Sequence, residues 1–323
     1  MILIITPNPA LDRTMVFHGL RLGGVFRTDE VLVTAGGKGL NVARAARTLG
    51  QPALVCAPLG GLTGDAVAHL AAAEGLMGRW TRHQAGETRT CVLVVDREAG
   101  DATALNEAGP ILAPADWRAF ASDVLAESPG ATLAVLSGSL PRGIEPAALG
   151  TLLADLAARG PRVLVDTSGP ALEAALATRP WGVKVNGSEL GAVLGRPVTD
   201  VPAALAALQR VRSQGVTLAA VTLGALGCVA ADASGAWWAR PPEVRIVSSV
   251  GSGDSLLAGL ATGLLRGLAL PEALRLGVAC GTADALSIGG GRIAPGDVQA
   301  LQALVQVTGY PALPAPAPGS EQR

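Results

Sequence analysis

The stretch Val247-Ser248-Ser249-Val250-Gly251-Ser252-Gly253-Asp254-Ser255 places permissive glycines and a lone carboxylate directly before the apolar run Leu256-Leu257-Ala258-Gly259-Leu260. If that run opens a helix, the backbone N–H groups of Gly251, Ser252, Gly253 and Asp254 converge at its N-terminus, where the helix dipole favours negative charge. Glycine lets the backbone approach an anion closely. Asp254 could then take a proton from an attacking hydroxyl while the amides hold the charge on a transferring phosphoryl group. An Asp near a helix start is also a common capping residue.

A second glycine cluster, Ala35-Gly36-Gly37-Lys38-Gly39-Leu40-Asn41, runs into the helical pattern Val42-Ala43-Arg44-Ala45-Ala46. A Walker A loop requires Gly-x4-Gly-Lys followed by Ser or Thr; Lys38 is followed by Gly39, and position 32 is Leu. The cluster instead suits a sugar: amides of Gly36 and Gly37 for hydroxyls, Lys38 as a point charge for an anionic substituent, Asn41 to read a further hydroxyl. A glycine-rich turn with a solvated lysine would have the same composition. Asp12, just past the first strand-like run, and Ser139, in Ser137-Gly138-Ser139-Leu140-Pro141, add polyol-binding groups. Asn186 and Glu189 stand three apart at a strand-to-helix junction, a spacing for a hydrated Mg²⁺ and equally for a capping box. Thr222-Leu223-Gly224-Ala225-Leu226-Gly227 offers a further turn for nucleotide phosphates.

These groups need a scaffold that brings distant segments together. Short aliphatic runs, Ile2 to Thr6, Ala53 to Pro58, Leu133 to Ser137, Val163 to Asp166, Gly182 to Val185 and Leu218 to Thr222, read as strands buried on both faces. Helical patterns lie between them: Gly39 to Leu49, Thr63 to Glu74, Pro146 to Ala158, Pro202 to Gln214 and Gly253 to Arg266. The alternation predicts a doubly wound α/β fold with a mostly parallel sheet and helices on both faces, with ligands outside the carboxyl ends of the strands. Residues 14–34 and 88–105 alternate as hairpins do and predict a small β-rich lid, or else edge strands of the main sheet. One domain over 1–308, with the lid as its appendage, and an unstructured Pro/Ala-rich tail over 309–323 complete the expected organisation.

Of 323 residues, 49% are hydrophobic and 16% charged, with a formal net charge of −1. That balance supplies no basic field for nucleic acid or an anionic membrane, so a small-molecule partner is expected. The opening apolar run is too short for a signal peptide and Pro7 follows at once, so a cytoplasmic protein is expected. Cys56, Cys91, Cys228 and Cys280 match no metal spacing and read as reduced core residues; His18, His69 and His83 are equally scattered.

In their order, the Asn8-Pro9-Ala10-Leu11-Asp12, Gly36-Gly37-Lys38-Gly39-Leu40-Asn41-Val42-Ala43, Ser137 to Pro141, Val163 to Gly169 and Val250 to Asp254 segments resemble the ribokinase/PfkB family of sugar kinases, in its phosphofructokinase-type branch. The resemblance implies a ribokinase-like fold, ATP and Mg²⁺ as cofactors, a monovalent cation as a further possibility, and a sugar phosphate as acceptor. It implies that Asp254 is the catalytic base, that Gly251, Ser252 and Gly253 form the anion hole, and that Asn186 and Glu189 organise Mg²⁺. Lys184, Thr222, Gly224 and Gly227 become nucleotide contacts. Asp12, Gly36, Gly37, Asn41 and Ser139 are assigned to sugar hydroxyls, and Arg27 and Arg89 to the substrate phosphate. Lys38 resembles the 1-phosphofructokinases and tagatose-6-phosphate kinases more than the 6-phosphofructokinases. Val185, Ser252 and Leu226 depart from the family's usual Pro, Ala and polar residue. Lid strands that pair across a two-fold axis imply a homodimer. Two rivals remain: a non-catalytic sugar-phosphate-binding regulator on the same fold, and a nicotinamide-dependent oxidoreductase, for which no Gly-x-Gly-x-x-Gly follows the first strand.

Overall fold

The computed structural model describes residues 1–311. In chain order the elements are β1 (Ile2–Ile5), β2 (Ala10–Phe17), β3 (Val31–Gly36), α1 (Lys38–Thr48), β4 (Ala53–Gly60), α2 (Gly61–Ala73), β5 (Met77–His83), β6 (Thr90–Asp96), β7 (Asp101–Asn106), α3 (Pro114–Glu127), β8 (Leu133–Ser137), α4 (Pro146–Ala158) and β9 (Arg162–Asp166). They continue with α5 (Gly169–Ala177), β10 (Gly182–Asn186), α6 (Gly187–Leu194), α7 (Val201–Ser213), β11 (Leu218–Thr222), β12 (Cys228–Asp232), β13 (Gly235–Arg240), α8 (Ser252–Leu265), α9 (Leu270–Asp284), α10 (Pro295–Leu304) and β14 (Gln306–Tyr310).

Among the described residues the main sheet has ten strands in the order β14-β13-β12-β11-β10-β9-β8-β1-β4-β5. From β11 to β5 the neighbours are parallel, and β12, β13 and β14 add an antiparallel edge. The inner parallel strands β1, β4, β8, β9 and β11 are mainly aliphatic on both faces because helices cover both, whereas β5 at the edge is largely exposed. In β1, Ile2 and Ile4 join one core with residues of α1, α8 and α9, while Leu3 and Ile5 join the other with Trp117 and Phe120 of α3 and Leu149 and Leu152 of α4. The doubly wound α/β expectation therefore holds.

The strand order reverses around β1, which lies between β8 and β4. At such a switch point the connections leave in opposite directions and open a crevice at the carboxyl ends. The lid is a separate four-stranded sheet in the order β3-β2-β6-β7. Its two hairpins join through parallel β2 and β6, with Asp12 opposite Cys91. The 14–34 and 88–105 segments thus form one sheet and not edges of the main one.

One boundary is corrected. Gly309 and Tyr310, assigned to the tail, are the last residues of β14 and pair with Trp237 and Ala236. The rest of the expected tail, from residue 312, lies outside the described residues. No helix among the described residues is long and apolar enough to cross a membrane.

Candidate active site

A cleft of about 1180 Å³ opens between the lid and the carboxyl ends of the main strands. Nearly every residue singled out from the sequence lines it: Asp12, Gly37, Lys38, Asn41, Arg89 and Ser139 on one side, Lys184, Asn186, Glu189, Thr222, Gly224 and Gly227 on the other, and Gly251, Ser252, Gly253 and Asp254 with them. Gly36 lies beneath the lining, where a Cβ would sit 2.0 Å from the Asp12 carboxyl carbon. Arg27 does not line the cleft. It stands exposed on the connection between β2 and β3, so the structure does not bring it to the other site residues.

Asp254 occupies the first turn of α8 and is buried. Burial, and then the charge of Asp166, push its pKa up to about 7 against the pull of Lys38, Lys184 and a hydrogen bond from Asn41. The Asn41 amide donates to Asp254 Oδ2 at 2.9 Å. Asn41 Oδ1 in turn accepts from Arg44 Nη1 at 3.0 Å, which fixes which end of the amide faces the carboxylate. Arg44 also donates to the carbonyls of Ala35 (2.6 Å) and Gly290 (2.8 Å) and pairs with Glu74.

The expected convergence of four amides needs correction. The Ser252 N–H reaches Ser249 O at 3.3 Å and the Asp254 N–H reaches Gly251 O at 2.9 Å. Among the described residues this leaves the amides of Gly251 and Gly253 without a backbone acceptor. Gly251 caps α8 at φ +99°, a conformation L side chains rarely adopt.

Beneath α8, Asp166 at the carboxyl end of β9 is fully buried. Its oxygens accept from Lys184 Nζ at 2.9 Å and Lys38 Nζ at 3.3 Å. Burial would raise the Asp166 pKa, but the two ammonium groups outweigh it and hold the carboxyl below its usual range. Burial would likewise lower Lys38, yet Asp166, Asp254 and Glu189 hold it above its ordinary value. Two cations thus face the cleft over one shared counter-ion.

Asn186 and Glu189 form a capping box on α6: Asn186 Oδ1 accepts from the Glu189 N–H at 2.8 Å, and Glu189 Oε2 accepts from the Asn186 N–H at 2.9 Å. Glu189 Oε1 stays free of the cap and lies 3.5 Å from Lys38 Nζ. On the lid side, burial raises the Asp12 pKa, offset by the Gly37 N–H at 3.4 Å, Arg44 and Arg89. Arg89 Nη2 donates to Asn8 O at 3.0 Å, and the Asn8 amide donates to Ser139 Oγ at 3.1 Å.

Sequence reasoning passed over the roles of Arg44, Asp166 and Glu74. A charged residue in the otherwise apolar run Val42 to Ala46 was a signal for Arg44, and a carboxylate ending a buried strand was one for Asp166. Cys91 was placed in the core but is half-buried in the lid and lines the cleft. The other three cysteines are buried, with thiols pushed up to about 12 by burial. No group of three or more metal-ligating side chains occurs among the described residues.

A buried carboxylate at a helix N-terminus, with two ammonium groups and free amides lining the same cleft, has the charges and donors that moving a phosphoryl group onto a hydroxyl requires. Comparison with known proteins agrees. The model for the pfkB family of carbohydrate kinases matches residues 7–295. A 1-phosphofructokinase of Rhodobacter capsulatus is 40% identical over 275 residues, 84% of this chain and 86% of that protein. One of Escherichia coli (strain K12) is 35% identical over 275 residues, 85% and 88% respectively. The crystal structure of phosphofructokinase-2 from Escherichia coli in complex with substrates and products superposes with a TM-score of 0.87 at 32% identity, covering 94% of this chain and 98% of that one. The chain belongs to the pfkB family of carbohydrate kinases.

Proposed function

We propose that the protein transfers the γ-phosphoryl group of MgATP to the C6 hydroxyl of fructose 1-phosphate, giving fructose 1,6-bisphosphate. The observation that carries this reading is Asp254, buried and held by Asn41, standing where the Lys38 and Lys184 charges and the α8 N-terminus meet. Asp254 in its ionised form takes the hydroxyl proton as the new O–P bond forms and the bond from the γ-phosphorus to the bridging oxygen breaks, with ADP leaving on that oxygen. Lys184, whose Nζ lies 3.1 Å from where a Gly253 Cβ would be, and Lys38 balance the charge on the phosphoryl oxygens. The family relatives named 1-phosphofructokinase support a ketohexose phosphate as acceptor.

Glu189 Oε1, with Asn186 beside it, suits a Mg²⁺ that keeps most of its water and is held chiefly by nucleotide phosphates. When bound, Mg²⁺ neutralises charge on the nucleotide phosphates. Asp12, Gly37 and Ser139 are assigned to the sugar hydroxyls, with Gly36 keeping room for the Asp12 carboxyl. Arg89 is assigned to the substrate phosphate. Thr222, Gly224 and Gly227 are assigned to the nucleotide. We further read the protein as a cytoplasmic homodimer joined through the lid, whose exposed Leu22, Val25, Val31 and Leu105 support an apolar contact. The Escherichia coli phosphofructokinase-2 has been solved in a tetrameric inhibited form and in complex with potassium, which keeps a tetramer and a monovalent cation among the states to test.

The test is ADP release with MgATP against fructose 1-phosphate, fructose 6-phosphate and tagatose 6-phosphate. The reading predicts the highest kcat/KM on fructose 1-phosphate. Preference for either of the others would reassign the substrate, and tight binding of a sugar phosphate without turnover would make the protein a regulator.

A further inference from the structure

Asp284, the last residue of α9, is a fully buried carboxyl group that the chemistry above does not use. Its Oδ1 accepts from Ser255 Oγ at 3.0 Å and from the Arg292 N–H at 3.1 Å, and its Oδ2 lies 3.5 Å from Ser252 Oγ. Both serines belong to the first turn of α8, and Arg292 belongs to the turn that follows α9. The carboxylate therefore ties the turn that carries Asp254 to the 289–292 turn.

The 289–292 turn is also anchored from the sugar side, because Gly290 O accepts from Arg44 Nη1 at 2.8 Å. Between the anchors the backbones touch: a Cβ on Gly251 would lie 2.3 Å from Gly290 Cα and 3.0 Å from Asp284 Oδ2. No side chain separates them, so their spacing depends on the polar groups that bridge them. A buried carboxylate is an expensive filler where Leu or Ala would pack. Its hydrogen bonds all run to the two segments it bridges, and burial pushes its pKa only to about 6, so at pH 8 it accepts on both oxygens.

We propose that Asp284 is a positioning residue for phosphoryl transfer: through Ser252 and Ser255 it sets the place of the Gly251–Asp254 turn relative to the sugar-side residues Asn41 and Arg44. This inference rests on the kinase reading of that turn. A misplacement of about 1 Å in such a site costs on the order of 10²-fold in rate.

The experiment compares full-length wild type with Asp284→Ala, Asp284→Asn and Ser255→Ala, measuring kcat, both KM values, thermal midpoint and backbone hydrogen exchange at 251–255. Asp284→Ala is expected to lose about 10²-fold in kcat with each KM within about threefold. Asp284→Asn keeps an acceptor for Ser255 and Arg292 and is expected to recover kcat to within about fivefold of wild type. Ser255→Ala, the milder change, is expected to lose about tenfold in kcat and to speed exchange at 251–255. Asp284→Ala that folds with kcat within about threefold of wild type overturns the proposal, as does a loss that vanishes on correction for the folded fraction. If Asp284→Ala does not fold, unchanged kcat and exchange in Ser255→Ala overturn it. Wild type that turns over no sugar phosphate defeats the kinase reading instead, and exchange at 251–255 still decides whether Asp284 holds the turn.

Discussion

The Asn41 side-chain amide donates to Asp254 Oδ2 at 2.9 Å across 213 residues of sequence. A donor on a carboxylate favours its ionised form, so Asn41 counteracts the burial that raises the Asp254 pKa to about 7. With Asp254 as the proposed base its ionised form is the active one, so kcat/KM should rise with pH through a midpoint near 7 in wild type. Asn41→Ala removes the donor and should move that midpoint to higher pH. A pH profile in which the acidic limb stays put or moves down would show that the contact does not set the base.

Asp166 acts in the opposite sense. Its negative charge raises the Asp254 pKa, and its removal also leaves Lys38 and Lys184 freer to stabilise the Asp254 carboxylate. Asp166→Asn should therefore shift the acidic limb to lower pH. The same profile, run beside that of Asn41→Ala, checks the sign.

The Lys38–Asp166–Lys184 trio should matter unequally for stability. Lys184 is 4% exposed and Asp166 0%, whereas the Lys38 side chain is 39% exposed. Breaking a buried pair strands a desolvated charge, so Lys184→Met should cost about 3 kcal/mol, lessened by the partner that Lys38 still supplies. Lys38→Met should cost clearly less. Urea unfolding of the two variants gives the comparison, and equal losses would contradict the burial argument.

Gly251→Ala should disable the site more than it destabilises the fold. Residue 251 combines φ +99° with a Cβ position 2.3 Å from Gly290 Cα, so either the cap or the facing turn must move. If the Gly251 amide serves as the anion-hole donor that the family resemblance implies, displacing it should cost about 10²–10³-fold in kcat. Steady-state kinetics at saturating MgATP would test this, with an unaffected kcat as the contrary result.

Much of the architecture could be read because the inner parallel strands are mainly aliphatic and the glycine and polar islands fall at their carboxyl ends. Helix α4 matched its expected span, Pro146 to Ala158. Among the elements not foreseen, β12 carries two Ala in five residues and α9 three Ala and two Gly in fifteen, residues that mark neither the period of a strand nor that of a helix. Asp254, Lys38, Asn41, Lys184 and Glu189 stood out because each lies in or beside a chain-turning motif. Arg44 and Asp284 did not, since tertiary approach makes their surroundings: Arg44 meets Gly290 from 246 positions away. Arg27 was assigned through the family resemblance and its place in a lid segment, and nothing in that segment fixed the direction of the β2–β3 connection.

The most direct test of the account is the turnover of Asp254→Asn with MgATP and fructose 1-phosphate at pH 8, above the value of about 7 to which burial raises the wild-type carboxyl. Asn preserves the size of the side chain and removes the proposed base. The account predicts a kcat lower by about 10²–10⁴-fold with the fold intact, the share expected of a positioned general base. A folded variant whose kcat stays within about threefold of wild type would contradict it.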